Sequence, residues 1–533
     1  MSTGAAGSPL IHTAVEYHAA RTPDAVALVR GSVRVTYAEL DAAASACATA
    51  LEERGAGPGG FVPVVMPRSP ALVAVLLGVL KSGAAYAVLD PGWPLPRLRA
   101  LLGLLRPRVA VAPGAADAAD APGALGALGA LGDWAGAVWS PPPEGEFGRL
   151  AERATRRPGR PVDGSSPATV FFTSGTTGRP KAVVSGHRAT TSLFCGGFAP
   201  FASRPTMIQA APPTWDGFTL ETWGPLLNGG TCVLPDGAYL LPGTLRGLAD
   251  EHGVDTVWLT ASLFHLFLDE DPGCFQGLSQ VLTGAERLSV PRVGAFLERH
   301  SATALTNGYG PVETCVFATA RRVRPADCAT TTGIPIGVPV PGRRVHLLTD
   351  GREAAAPGTT GEICVSGEGL AVGYLGDPRL TAERFPVLPL GGVPTRVYRT
   401  GDLGFLDGDG VLHFLGRGDR QVKIRGHRVE PEEVEAAARD VSGVRECAVV
   451  PVPGEDESHE GLALFYTQEK DADGSDRLDA RTLRRTLAAA LPRHLVPERV
   501  YSRERLPLTA SGKLDRVALT NSLRRPDHPE GDL

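Results

Sequence analysis

A chain of 533 residues is too long for one hydrophobic core and implies several domain-sized units. Its 43% hydrophobic and 21% charged residues are ordinary for a soluble globular protein, and 53 Lys plus Arg against 58 Asp plus Glu leave a net charge of −5, which argues against a nucleic-acid backbone as the main partner. The eight cysteines include no CxxC pair, the start "MSTGAAGSPLIH" lacks a signal peptide's basic and apolar regions, and the longest apolar run, "ALVAVLLGVL", is half of what a bilayer needs. A cytoplasmic protein without a membrane partner is expected.

In chain order, "AVEYHAARTPDAVALV" predicts a helix, a turn at Thr22-Pro23-Asp24 and a strand. "VTYAELDAAASACATALEERG" predicts a helix capped by Thr36, with Glu39 completing a capping box and Gly55 as the stop. "ALVAVLLGVLKSGAAYAVLDP" predicts a buried helix followed by a strand. This alternation continues to about residue 320 and predicts an α/β protein whose large N-terminal domain is made of layered α/β subdomains. The stretch "GAADAADAPGALGALGALG" is low in complexity and predicts a decorated surface loop. From "GIPIGVPVPGRRVHLL" to "HFLGR", short strands with Gly and Pro turns predict a small barrel-like or antiparallel β part. "EPEEVEAAARDVSGV", "ECAVVPVP" and "LALFYTQ" then predict a small α+β C-terminal domain. The texture changes at "GRGDR", so the expected domains are 1–418 and 419–533.

One loop asks for a chemical explanation. "TSGTTGRPK", residues 173–181, lies between two strand-like runs. Its glycines, Gly175 and Gly178, allow backbone N–H groups to curl into an anion-holding nest. The hydroxyls of Thr173, Ser174, Thr176 and Thr177 add donors, and Lys181 adds a charge. Phosphate is the expected guest; a hydroxyl-rich surface turn is the bland alternative. A Walker A loop is excluded, because Pro180 stands where glycine precedes the lysine and Ala182 stands where Ser or Thr would bind Mg²⁺.

The string resembles the signature of the adenylate-forming superfamily, which includes the amino-acid-activating adenylation domains of nonribosomal peptide synthetases. Further stretches match that family in its usual order: "VTYAEL", "LKSGAAYAVLD", "WDGFTLETWGPLLNGG", "NGYGPVET", "GEICVSGEGLAVGY", "YRTGDL", "GRGDRQVKIRGHRVEPEEVE", "LPRHLVP" and "LTASGKLDR". The resemblance runs from about residue 10 to 516. It departs mildly at Ala182, at Trp215 and in "RGHRVEPEE", none of which removes a catalytic group.

The resemblance implies attack of a substrate carboxylate on the α-phosphorus of ATP, a step that brings two anions together and needs cations and fixed donors. By the match, Lys513 is the catalytic lysine, Glu313 the Mg²⁺ ligand, and Lys181 with its loop a phosphate holder. Asp402 would accept the ribose hydroxyls, supported by Arg417. Tyr309 would stack on adenine among Asn307, Gly308 and Gly310, with the backbone of Gly284, Ala285 and Glu286 on the other side. Asp419 matches a hinge about which the mobile C-terminal domain rotates between adenylation and thioester formation.

Asp216 matches the position that holds an α-ammonium group in amino-acid-activating members; a helix cap for "GFTLETW" is its alternative role. The remaining pocket positions carried over are Gly217, Leu220, Trp258, Leu282, Gly284, Gly308, Val316 and Phe317. None is charged, and the set resembles pockets of valine-activating domains. Isoleucine, 2-aminobutyrate, alanine and a β-amino acid stay open, since a methylene is worth only about 1–3 kcal/mol. The expected partners are the amino acid and the phosphopantetheine thiol of a separate carrier protein, with room left for a small activating protein. The initiator methionine and short tail suggest a freestanding enzyme rather than a fragment of a synthetase. An acyl-CoA or aryl-CoA ligase and a non-catalytic binding scaffold are the alternatives.

Overall fold

The structure is a computed structural model that describes residues 9–113, 136–142, 157–175, 180–237, 239–330, 332–349, 351–353, 356–418, 420–454, 459–468, 478–508 and 514–524. The low-complexity stretch, Thr176, Thr177, Gly178, Asp419 and Lys513 lie outside the described residues. The chain divides into two compact units. The first comprises Met1–Gly92, Leu98–Phe172 and Ala182–Gly418; the second comprises Trp93–Arg97, Thr173–Lys181 and Asp419–Leu533.

The first unit is built on a nine-stranded sheet, a seven-stranded sheet and a six-stranded antiparallel sheet. The helices that cover them follow local signals. Tyr37–Glu52 starts at Thr36, whose side chain accepts from Glu39 N while Glu39 returns a bond to the cap, as the capping box predicts. Pro70–Lys81 starts at Ser69, has proline in its first turn, and is buried along its whole length. A helix apolar all round belongs inside a core. Its terminal Lys81 is buried too, held by Glu16 at 2.7 Å and Asp41 at 2.8 Å.

Three neighbouring parallel strands of the nine-stranded sheet, Thr256–Thr260, Gln280–Gly284 and Ala304–Tyr309, carry predicted pocket residues. Their register sets Trp258 beside Leu282, and two residues on it sets Thr260, Gly284 and Gly308 in one row. Because side chains alternate along a strand, the two rows face the same side. The barrel-like part is the six-stranded sheet, where Leu347, Ile363, Val365 and Leu412 pack with Tyr309 and Ala318. Its strands Val393–Leu406 and Leu412–Arg417 pair so that Asp402 stands opposite Arg417.

In the second unit a three-stranded sheet, Val444–Pro453, His459–Gln468 and Arg499–Ser502, packs with helices Pro431–Arg439, Ala480–Ala490 and Arg516–Ser522. Val434, Val449, Leu464, Leu483 and Leu487 form its core. That is the α+β unit read from the sequence.

Candidate functional site

At the carboxyl end of the strand Ala304–Tyr309, the Tyr309 hydroxyl donates to Asp402 Oδ2 at 2.5 Å. Arg417 Nη1 donates to the other carboxylate oxygen, Oδ1, and Arg417 Nη2 reaches the carbonyl of Thr400 at 3.2 Å. The backbone N–H of Asp402 donates to Thr400 Oγ1 at 2.9 Å, so phenol and guanidinium orient one buried carboxylate while the hydroxyl holds its backbone. Burial, and then the Asp402 charge, push the Tyr309 phenol well above its ordinary pKa, so it stays a donor. An ionised carboxylate offers about four lone-pair sites, so a carboxylate held in this way keeps acceptor capacity for vicinal hydroxyls.

Around it, Asn307 Nδ2 donates to the carbonyl of Pro335 at 3.0 Å. Gly284 and Gly308 approach so closely that a Cβ on Gly284 would lie 2.1 Å from Gly308 O, which excludes any side chain there. Ala285 follows with φ of 69°, a left-handed position that turns the chain out of the strand. Glu286 then accepts from Ser262 N at 3.2 Å and from its hydroxyl. Gly310 also abuts backbone: a Cβ there would fall 2.5 Å from Val316 O.

Glu313 sits in the 3₁₀ turn Val312–Thr314 and is wholly buried. Its Oε1 accepts from Tyr374 OH at 2.8 Å. Among the described residues there is no group of three His, Cys, Asp or Glu that could hold a metal. A single hard carboxylate suits Mg²⁺ all the same, because that ion is usually carried by one or two carboxylates plus substrate phosphates and water. The donor chemistry at Glu313 therefore fits the ion.

The predicted pocket residues meet in pairs: Trp258 lies against Gly217 and beside Leu282, and Phe317 lies against Gly308. Leu220, Trp258, Leu282, Val316 and Phe317 share one buried cluster with Ala211, Phe198 and Cys315. A Cβ on Gly217 would meet Trp258 Cζ3 at 3.1 Å, and one on Gly308 would meet Phe317 Cε1 at 2.2 Å, so both glycines make room for rings. The indole Nε1 of Trp258 is buried with no hydrogen-bond partner among the described residues. Asp216 occupies the N-cap position of helix Gly217–Leu226, yet its side chain makes no cap bond and its φ and ψ of −68° and −22° are already helical. Capping does not explain it. Its charge is felt at Cys315, whose thiol is pushed up chiefly by burial.

In the second unit the loop donors already hold anions. Gly175 N donates to Glu433 Oε2 at 2.9 Å, and Lys181 Nζ lies 3.1 Å from Glu430 Oε1. Ser174 Oγ donates to Arg428 O at 2.8 Å, while Thr173 Oγ1 is buried without a partner among the described residues. Tyr374, Thr400, Ser262 and Arg343 escaped the sequence reading. Tyr374, Ser262 and Arg343 act through contacts 61, 24 and 151 residues away, whereas Thr400 holds the backbone of Asp402 two residues on.

The first unit thus carries an oriented buried carboxylate at Asp402, a buried glutamate at Glu313 and an apolar cluster beside Asp216. The chain belongs to the AMP-binding enzyme family, which it matches over residues 15–375, with the AMP-binding enzyme C-terminal domain matched over residues 433–513. Within that family it is of the nonribosomal peptide synthetase adenylation type. It is 35% identical over 528 residues to the "Probable non-canonical nonribosomal peptide synthetase (NRPS) CymA" of Salinispora arenicola, covering 97% of this chain and 6% of that one. It is 33% identical over 521 residues to tyrocidine synthase 3 of Brevibacillus parabrevis, covering 96% of this chain and 8% of that one. The chain thus spans less than a tenth of the length of these curated relatives. A solved NRPS protein containing adenylation and PCP domains, bound to a vinylsulfonamide inhibitor, superposes with a TM-score of 0.83 at 34% identity, over 97% of this chain and 84% of that one. No helix among the described residues is long and apolar enough to cross a membrane.

Proposed function

We propose that the chain activates a small or branched aliphatic amino acid, of about valine size, as its aminoacyl adenylate and then passes it to a carrier-protein thiol. The observation that carries this reading is Asp216: a carboxylate at the head of an apolar pocket, not used as a helix cap. Asp216 is half-buried and sets a carboxylate beside an apolar lining, and the α-ammonium group of an amino acid is a group such a carboxylate can bind. The similarity to a protein with adenylation and PCP domains supports a carrier as acceptor.

In the first step a substrate carboxylate oxygen bonds to the α-phosphorus, and the bond to pyrophosphate breaks. Asp402, oriented by Tyr309 and Arg417, takes the ribose hydroxyls. Tyr309 and the backbone of Gly284, Ala285 and Glu286 flank the base. Lys181 and its loop take phosphate, and Lys513 bridges the reacting oxygens. Mg²⁺ held at Glu313 would neutralise phosphate charge. In the second step the pantetheine sulfur bonds to the acyl carbon and AMP leaves. Domain 419–533 would change orientation between the two steps about Asp419.

Amino-acid-dependent pyrophosphate exchange across a panel tests the reading. Valine-sized aliphatic amino acids should give the highest kcat/KM. Tyrosine, aspartate and lysine should stay near background, because the predicted lining has no charged group and a single indole N–H donor for a buried polar or charged tip. Asp216→Ala should cut amino-acid-dependent exchange by at least about tenfold, because the substrate ammonium loses its carboxylate, while ATP binding persists. Exchange driven by simple or aryl carboxylic acids, and indifferent to Asp216, would instead establish an acyl-CoA or aryl-CoA ligase. A preference for aspartate or an aromatic amino acid would refute the pocket assignment alone.

A further inference from the structure

The segment that carries Val316 and Phe317 is strained. Cys315 and Val316 are consecutive non-glycine residues with φ of 57° and 64°. For a β-branched residue such a φ is a genuine outlier. Phe317 N donates to Cys315 O at 2.9 Å, a bond that spans two residues and makes Val316 the centre of a γ-turn of the rare, strained hand. Such a turn persists only where its surroundings over-determine it.

Arg343 supplies that constraint. It begins the strand Arg343–Thr349 and is 5% exposed, and the Glu368 carboxylate favours its charge against burial. Its Nη2 donates to the carbonyls of Ala189 at 2.8 Å, Thr314 at 3.2 Å and Cys315 at 3.3 Å. Its Nη1 donates to Ser192 Oγ at 2.8 Å and Pro341 O at 3.0 Å. The planar fork thus ties the helix His187–Phe194 to the turn, and Cys315 O receives both the γ-turn bond and the guanidinium. The passage is shaped for it, since a Cβ on Gly369 would lie 2.1 Å from Arg343 Nε. An arginine is an unusual choice for a site lined with carbonyls, because burial disfavours its charge. The number of simultaneous donors is what a neutral side chain could not match.

We propose that Arg343 is a specificity-positioning residue: by holding the γ-turn at Val316 it fixes the Phe317 ring against Gly308 and so sets the size of the acid pocket. The inference rests on the amino-acid-activating reading above, but its test is separable. Exchange kinetics are measured for Arg343→Lys and Arg343→Met with the preferred amino acid and with its homologue one methylene longer. The amino-acid KM should rise at least about tenfold, the ATP KM should stay within about twofold, and the preference ratio between the two amino acids should fall at least about fivefold. Arg343→Lys, which keeps the charge but not the fork, should fall between Met and wild type. Should Arg343→Met not fold, Gly369→Ala, which displaces the guanidinium, should lower the same ratio. An unchanged ratio in folded protein, or an equal fall in kcat for every amino acid, would overturn the inference. Wild type that exchanges no amino acid would refute the reading instead; the ratio is then measured with homologous carboxylic acids.

Discussion

Glu221 is wholly buried, one helical turn beyond Asp216 and Gly217. Its Oε2 accepts from the backbone of Ala210 at 2.8 Å and Ala211 at 2.6 Å, and Ala211 lines the space beside Gly217. Burial raises its pKa from an ordinary 4.5 to about 8, against the opposing pull of those bonds and of Arg68. Oε1 has no partner among the described residues, which leaves it free to carry the proton. The sign follows from proton counts. Between pH 4.5 and about 8 the unfolded chain binds fewer protons than the folded one, so this group's stabilisation is full below 4.5 and lost as pH rises through 8. Denaturant melts across that window should show a slope that Glu221→Gln removes, with wild type losing ground to the variant as pH rises. Parallel profiles for the two proteins would mean that Glu221 is ionised in the fold.

At the scale of elements, three strands carry residues proposed to line the acid pocket. Their register places Trp258 beside Leu282, and Gly284 beside Gly308, on one face of the sheet. Trp258 then closes on Gly217 at the start of the neighbouring helix. Replacing the indole by a smaller apolar side chain opens that end. Trp258→Leu should raise kcat/KM for leucine relative to valine by at least about tenfold, the worth of one methylene, with some loss on valine itself. An unaltered ratio would place Trp258 outside the pocket. The face these residues share was legible in "VWLTAS" and "VLTG" once the family match aligned them. That Gly217 and Gly308 must be glycine was not, because the reason is a ring brought from a different element.

At the scale of the molecule, the loop Thr173–Lys181 clusters with the C-terminal residues, and within that unit its lysine and backbone already bind the carboxylates of Glu430 and Glu433. The same donors are the proposed phosphate holders, so the proposal requires ATP to displace two carboxylates of the chain. If Lys513 serves the first half-reaction only, Lys513→Ala should cut adenylation by about 10²-fold or more and leave transfer from a supplied aminoacyl adenylate much less affected. Single-turnover measurements of each half-reaction check this. Equal losses in both would remove the two-state role.

The layered α/β class, the capped helices and the family were legible in the amino-acid order alone. Caps, buried runs and a hydroxyl-rich glycine loop are written in contiguous residues, and Asp402, Glu313 and Asp216 each lie in such a string. Only the tertiary structure decided what those groups touch. Tyr374 reaches Glu313 across 61 residues, Tyr309 reaches Asp402 across 93, and Arg343 reaches Ser192 across 151. Such partners are chosen by sheet pairing and burial rather than by local preference. A guanidinium that holds a strained turn therefore looks, in sequence, like any arginine at the start of a strand.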